Sequence, residues 1–313
     1  MLELMLDTIE EGLPYGLMAM GVFITFRILD FPDLTVEGSF PLGAAVATIL
    51  IISGFNPFLA TFIAFLAGAA AGVITGIINT KLKIAGLLAG ILTMTSLYSI
   101  NLRIMGKSNL SLLGSERPAT IFSIIKGFLG NLVYNFNYLD LVILAIIILF
   151  IKLLIDYFLH TELGMAVRAT GDNQVMIQSL GVNIDFIKIL GLALANGLVA
   201  LAGSLVAQYQ KSADIRMGAG MIVIGLASVI IGEVIIRTSK IKLATLGVII
   251  GAIVYRMAIA FALQLGFQAT DLKIVTALLV ILALGAPSLR KFMIQDEFAE
   301  HLLERGSDNA DNH

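Results

Sequence analysis

Cysteine is absent from all 313 residues, so the chain has no disulfide framework and no thiolate metal site, and its redox compartment goes unmarked. Tryptophan is absent too, which leaves 7 Tyr and 18 Phe to form any aromatic belt at a membrane interface. Charge is scarce. Asp, Glu, Lys and Arg make up 13% of the residues, against roughly 25% in a soluble domain. A net charge of −2 excludes a nucleic-acid binder, which needs concentrated Lys and Arg. Apolar residues fill the remainder, 58% of the total with a mean hydropathy of +0.96. Such a chain cannot cover a water-facing surface, and it reads as an all-α, polytopic transmembrane helix bundle. The acidic N-terminus MLELMLDTIEEGLPYG lacks the basic start of a cleaved signal peptide, so the first span is expected to remain in the mature protein.

Apolar runs and polar breaks predict about nine spans, with eight to ten allowed, near 12–28, 39–53, 57–79, 84–103, 138–160, 184–208, 219–236, 243–265 and 270–286. Segment 104–137 reads as a long loop with one partly embedded helix near 121–132. Lys81 and Lys83, Arg168, and Arg237, Lys240 and Lys242 fall on connections of one parity, and the Lys/Arg bias assigns that side to the cytoplasm. Arg103, Lys107, Arg117, Lys126, Lys211, Arg216 and Lys273 fall on the other. The expected division is a membrane domain at 1–287, with a cytoplasmic segment at 161–183, and a polar cytoplasmic tail at 288–313.

Gly68-xxx-Gly72-xxx-Gly76, Gly86/Gly90 and Gly247/Gly251 place glycines four apart on one helix face, which specifies close helix packing and no activity. The break Leu29-Asp-Phe-Pro-Asp-Leu-Thr-Val-Glu-Gly-Ser39 brings Asp33, Thr35 and Glu37 between two short apolar runs. It is either a plain cytoplasmic turn or an interrupted helix beside a substrate path. Thr93, Ser96 and Tyr98, with Asn101 at the span's end, give span four a polar side. Asn196 and Gln208 do the same for span six. These hydroxyls and amides either satisfy their own helix backbone or line a path. Arg256 lies inside an apolar span and calls for a partner or a route to the interface. Glu233 stands one turn from Arg237 and could also meet a partner subunit. No acid–base pair can be assembled, and His160, His301 and His313 are too scattered for a zinc site. Gly106-Lys107-Ser108 resembles the end of a P-loop, but Asn101 stands where the first glycine belongs. The chain therefore reads as non-enzymatic, without an ATP site of its own.

The remaining signal is a polar, small-residue island between spans five and six, Gly164-Met-Ala-Val-Arg-Ala-Thr-Gly-Asp-Asn-Gln followed by Ser179-Leu-Gly-Val-Asn183. It is expected to form a short cytoplasmic helix, with Met165, Val167, Met176, Ile177 and Leu180 on the bundle and Arg168, Asp172, Asn173 and Gln174 exposed. Gly171 would weaken its middle and Gly181 would end it. A helix of this kind suits docking into a cleft on a soluble partner.

The island resembles the coupling segment of ABC-importer permeases in the branched-chain amino acid and ribose group. PDLTVEGSFPLGAAV resembles that group's Asp-Leu-(Ser/Thr)-Val-x-Gly-Ser signature, and GLLAGILTMTSLYSINLRIMG is similar to a subgroup associated with tryptophan and tyrosine uptake. The extra N-terminal span of ribose-type permeases is missing. The resemblance implies a type II-like importer permease fold in the bacterial plasma (inner) membrane. It implies ATPase coupling through Gly164, Arg168, Ala169, Asp172, Asn173, Gly181 and Asn183. It further implies two ABC ATPase subunits that carry the ATP and Mg, an extracytoplasmic substrate-binding (lipo)protein, and a second permease copy, in a homodimer embedded in lipid. The substrate reads as a small solute, an amino acid and in this subgroup an aromatic one. Asp33, Thr35, Glu37, Thr93, Ser96, Tyr98 and Asn196 are the candidate pathway residues. An ion-coupled secondary transporter, or an ABC importer for a sugar or nucleoside, is the alternative.

Overall fold

A computed structural model describes residues 2–113, 119–129, 138–238, 240–268, 271, 274, 276–278 and 281. Eight of the nine expected span positions carry helices: α1 (Leu2–Phe23), α2 (Val36–Ile52), α3 (Pro57–Thr80), α4 (Gly86–Met105), α6 (Leu139–Leu159), α9 (Ile184–Gln210), α10 (Met221–Ile235) and α11 (Ile241–Gln264). A short helix α5 (Ile121–Leu129) occupies the expected loop helix. The ninth span and the tail at 288–313 lie largely outside the described residues. Among the described residues six segments are long and apolar enough to cross a membrane: α3, α4, α6, α9, Ile215–Ile235 and α11. The other two have plain reasons to fall short. α1 carries Asp7, Glu10 and Glu11, and α2 is a 17-residue helix.

Helix α9 is the central post, with 72% of its apolar window buried against 28% for that of α4. Small residues make this possible. A methyl at Gly43 on α2 would overlap the Ala200 carbonyl, and one at Gly203 would overlap the Phe40 carbonyl. Gly68 and Gly72 of α3 meet α9 backbone at Asn196 and Leu192 in the same way. The expected stripes of α3 and α11 therefore pack close to neighbouring backbone, Gly247 and Gly251 against Gly232 and Ser228 of α10, whereas Gly86 meets the Phe31 ring. Gly43→Ala is predicted to lower stability by about 1–3 kcal/mol, read as an earlier loss of the monodisperse peak on heating.

Ion pairs tie the helix ends together. Lys81 Nζ lies 3.1 Å from Asp185 Oδ2, and Arg27 Nε lies 2.6 Å from Glu233 Oε1, while Arg27, Arg168, Glu233 and Thr238 surround one cavity at the end that the charge pattern assigns to the cytoplasm. Glu233 thus pairs with Arg27 rather than Arg237. Arg256 also has its partners: Nη2 lies 3.1 Å from Glu11 Oε2, and its guanidinium sits 4.1 Å above the Tyr15 ring. At the opposite end an antiparallel ribbon joins β1 (Asn109–Ser111) to β2 (Ser212–Asp214), an element the sequence did not announce. Gly106 takes φ 67° and closes α4, so the P-loop-like residues end a helix instead of opening one.

Candidate functional site

Two regions of the bundle are built from chemistry beyond packing. The first is the break between α1 and α2. The last turn of α1 widens into a π-helix over Ile24–Ile28, and the chain then runs irregularly to Thr35. Thr35 bonds Thr75, which bonds Thr93, and these two lie five and seven residues from the ends of α3 and α4 that the charge pattern assigns to the cytoplasm. At 1.5 Å per residue the break therefore sits roughly 8–10 Å inside the bundle. It is not a plain cytoplasmic turn.

Irregular backbone at that depth needs partners from protein, and here it has them. Asp33 is fully buried; its Oδ1 accepts the Thr35 N–H at 2.9 Å and its Oδ2 accepts Asn196 Nδ2 at 2.6 Å. Ser39 Oγ donates to Asn196 Oδ1 at 2.7 Å. Thr93 donates to the Ala89 carbonyl at 3.0 Å and so accepts from Thr75, 2.9 Å away. Thr75 and Thr35 share a further hydrogen bond of 2.7 Å, and Thr75 also reaches the Ala71 carbonyl at 3.2 Å. The three hydroxyls form one connected chain, in which neighbouring bonds strengthen one another. The Cβ position of Gly90 lies 2.7 Å from the Leu34 N, so only glycine lets α4 lie this close to the break.

Of the seven sequence-derived pathway residues, Asp33, Thr35, Thr93 and Asn196 thus join one buried knot, together with Ser39 and Thr75. Glu37 faces away from it. Its Oε1 accepts the Gly220 N–H at 3.1 Å, beside a cavity of about 270 Å³ that Tyr98 also lines. Ser96 is exposed on α4 and bonds the Leu92 carbonyl. Thr75 escaped sequence reasoning although it sits one residue before Gly76, on the glycine stripe of α3. A hydroxyl on a stripe of small residues was the available signal.

Opposite the knot, a 3-10 turn (Ile215–Gly218) folds back toward α2 before α10 begins, and a methyl at Gly218 would overlap the Glu37 carbonyl. Gly220 makes the re-entry with φ 84°, a conformation other residues adopt only with strain. Asp214, on the outer ribbon, is held below the usual carboxylate range, chiefly by the Arg216 backbone N–H at 2.7 Å. It stays ionised and anchors the Arg216 side chain.

The second region is the corner between α6 and α9, which the charge pattern assigns to the cytoplasm. The single expected helix is two, α7 (Glu162–Asp172) and α8 (Gln174–Ser179), because Asn173 turns extended and its side chain caps α8 through the Met176 N–H at 3.0 Å. Asn183 caps α9 through the Phe186 N–H at 3.1 Å. Gly181 turns the chain with φ 81°. Gly164 packs against the Phe158 carbonyl and Gly171 against the Ile28 carbonyl, so Gly171 is a contact point with the π-turn rather than a weak place in the helix. Val167 and Ile177 are buried as expected, whereas Met165, Met176 and Leu180 are exposed. Ala169 is half-buried. Arg168 and Asp172 line a cavity of about 450 Å³ with Arg27, Glu233 and Thr238. Among the described residues neither Arg168 nor Asp172 has an ion-pair partner. No group of His, Cys, Asp and Glu that could hold a metal occurs among the described residues.

Comparison with known families gives the class of this polytopic bundle, a membrane transport subunit. Residues 4–284 match the family described as branched-chain amino acid transport system / permease component, and the chain belongs to that family. It is 43% identical over 285 residues to a tyrosine transport system permease protein of Clostridioides difficile, covering 91% of each chain. It is 26% identical over 268 residues to a ribose import permease protein of Escherichia coli, covering 86% of this chain and 80% of the other. A probable branched-chain amino acid transport permease of Methanocaldococcus jannaschii is 25% identical over 257 residues, 78% of each. No solved structure matches the chain. The protein is a multi-pass inner-membrane permease of the ABC-importer type.

Proposed function

We propose that the chain is the membrane half of an ATP-driven importer, that separate ATPase subunits dock on α7 and α8, and that the cargo is an amino acid. The observation that carries the docking is the corner itself. Met165, Val175, Met176 and Leu180 project from it, Val175 with 78% of its surface exposed. Apolar side chains standing out of a polar, capped scaffold are the signature of a protein interface. The close contacts at Gly164 and Gly171 tie that surface to the ends of α6 and α1, so a push on the corner reaches the bundle. Arg168 and Asp172 supply charges for a partner to meet. ATP and Mg belong to the ATPase subunits. An extracytoplasmic binding protein delivers the cargo, and a second copy of the chain completes the pore.

The cargo reading is supported by the tyrosine permease relative, which resembles this chain over most of both lengths and more closely than the sugar permeases do. Uptake of radiolabelled tyrosine set against ribose in proteoliposomes discriminates the two. For docking, Val175→Glu combined with Met176→Glu is expected to cut capture of the ATPase subunits about tenfold or more, since interface centres tolerate charge badly. Insertion and thermal unfolding should not change, because both side chains are exposed. Undiminished capture and uptake by this variant would remove the docking surface from the corner.

A further inference from the structure

Between α2, α4 and the 3-10 turn, the cavity of about 270 Å³ has an asymmetric wall. Its acidic side is Glu37, half-buried, with Oε1 on the Gly220 N–H. Beside it Asn101 is completely buried; Nδ2 donates to the Gly38 carbonyl at 3.1 Å, and Oδ1 has no hydrogen-bond partner. The amide thus fixes the cavity wall against α2 and leaves Glu37 as its open acceptor. The basic side is Arg216, exposed and steered by Asp214. Met94, Pro41 and Tyr98 supply an apolar and aromatic wall.

The outward face of α4 points the same way. Thr95, Ser96, Tyr98 and Ser99 are exposed in the outer half of a membrane helix. Thr95 and Ser96 satisfy themselves on the Ile91 and Leu92 carbonyls. The Tyr98 hydroxyl, among the described residues, bonds nothing. Such a face suits a wet path better than lipid.

We propose that this cavity recognises the transported molecule, and that it takes a free α-amino acid with a large apolar or aromatic side chain. The ammonium meets Glu37, the carboxylate meets Arg216, and the side chain rests on Met94 and Tyr98. A volume at the lower edge of the about 300–1,000 Å³ typical of small-molecule sites holds one amino acid. A neutral sugar has no group for either charge. This assignment rests on the amino-acid reading above.

The absence of cysteine supplies the test, because Thr95→Cys places a single thiol on the cavity wall. In the full permease–ATPase complex, reconstituted in nanodiscs, L-tyrosine should slow modification of that thiol by a charged methanethiosulfonate. Tyramine, which lacks the carboxylate, and N-acetyltyrosine, which lacks the ammonium, should protect about tenfold less well, as expected for losing one charged hydrogen bond. Glu37→Gln or Arg216→Gln should abolish protection by tyrosine while the complex still assembles and hydrolyses ATP. Protection by L-leucine as well would support the same site with wider specificity. Active tyrosine uptake with no protection of the thiol overturns the cavity assignment and leaves the importer reading standing. Uptake of ribose and of no amino acid overturns the cavity assignment together with the amino-acid reading.

Discussion

Replacing Asp156 with leucine is expected to unfold the bundle, and replacing Lys152 and Asp156 together is expected to restore most of what is lost. Both side chains sit on α6 inside the bundle, 9% and 3% exposed, with Nζ 2.5 Å from Oδ2 in an ionic contact rather than a well-directed hydrogen bond. Asp156 Oδ1 also accepts the Thr245 hydroxyl of α11 at 2.7 Å. Removing one member of a buried pair strands the other charge and costs about 3–5 kcal/mol, whereas exchanging both for apolar residues is often neutral. Asp156→Leu should therefore fail to give a monodisperse peak, and Lys152→Met with Asp156→Leu should recover it. With neither tryptophan nor cysteine in the chain, a fluorescent-protein fusion followed by size exclusion is the suitable readout. A single variant as heat-stable as the parent would mean that Lys152 has another partner.

Asn196→Leu should be the second most damaging exchange. Among the described residues Asn196 is the only side chain that bonds both Asp33, at 2.6 Å, and Ser39, at 2.7 Å, so leucine leaves a buried carboxyl and a buried hydroxyl each missing a partner. The cost should be about 2–5 kcal/mol, the sum of two buried orphans. Thr35→Val removes one hydroxyl, which bonds Thr75 and Asp33, and should cost less, about 1–2 kcal/mol. Adding Asp33→Asn to Asn196→Leu should return part of the stability, because a neutral amide is cheaper to bury than a carboxylate. If Asn196→Leu matched Thr35→Val in thermal midpoint and uptake, the knot would be packing rather than a polar anchor for α2.

These two clusters mark what the sequence makes legible and what it does not. The glycine stripes and the capped corner are local signals, and each appears near its expected residues. Asp33, Thr35, Thr93 and Asn196 stand out as polar residues in apolar runs, but which of them meet is decided by the crossing of four helices. The start of α1 is hidden because its acids lower the hydropathy, although Glu11 there pairs with Arg256, 245 residues away. Lys152 and Asp156 were visible as opposite charges four apart in an apolar span, a spacing that joins them on one helix face. Asn173 divides the corner because an extended cap competes with continued helix, a balance that propensity alone does not decide.

The burial of α9 has a consequence for how the protein is made. Spans leave the ribosome in order, and α2 and α3 enter the bilayer well before the helix their glycines fit. Until residue 210 has been threaded, those notched surfaces, the Asp33 carboxylate and the Ser39 hydroxyl face lipid or each other. Maturation is therefore a late insertion, in which the last-arriving spans close around a keystone and earlier segments stay accessible to insertases and quality-control proteases.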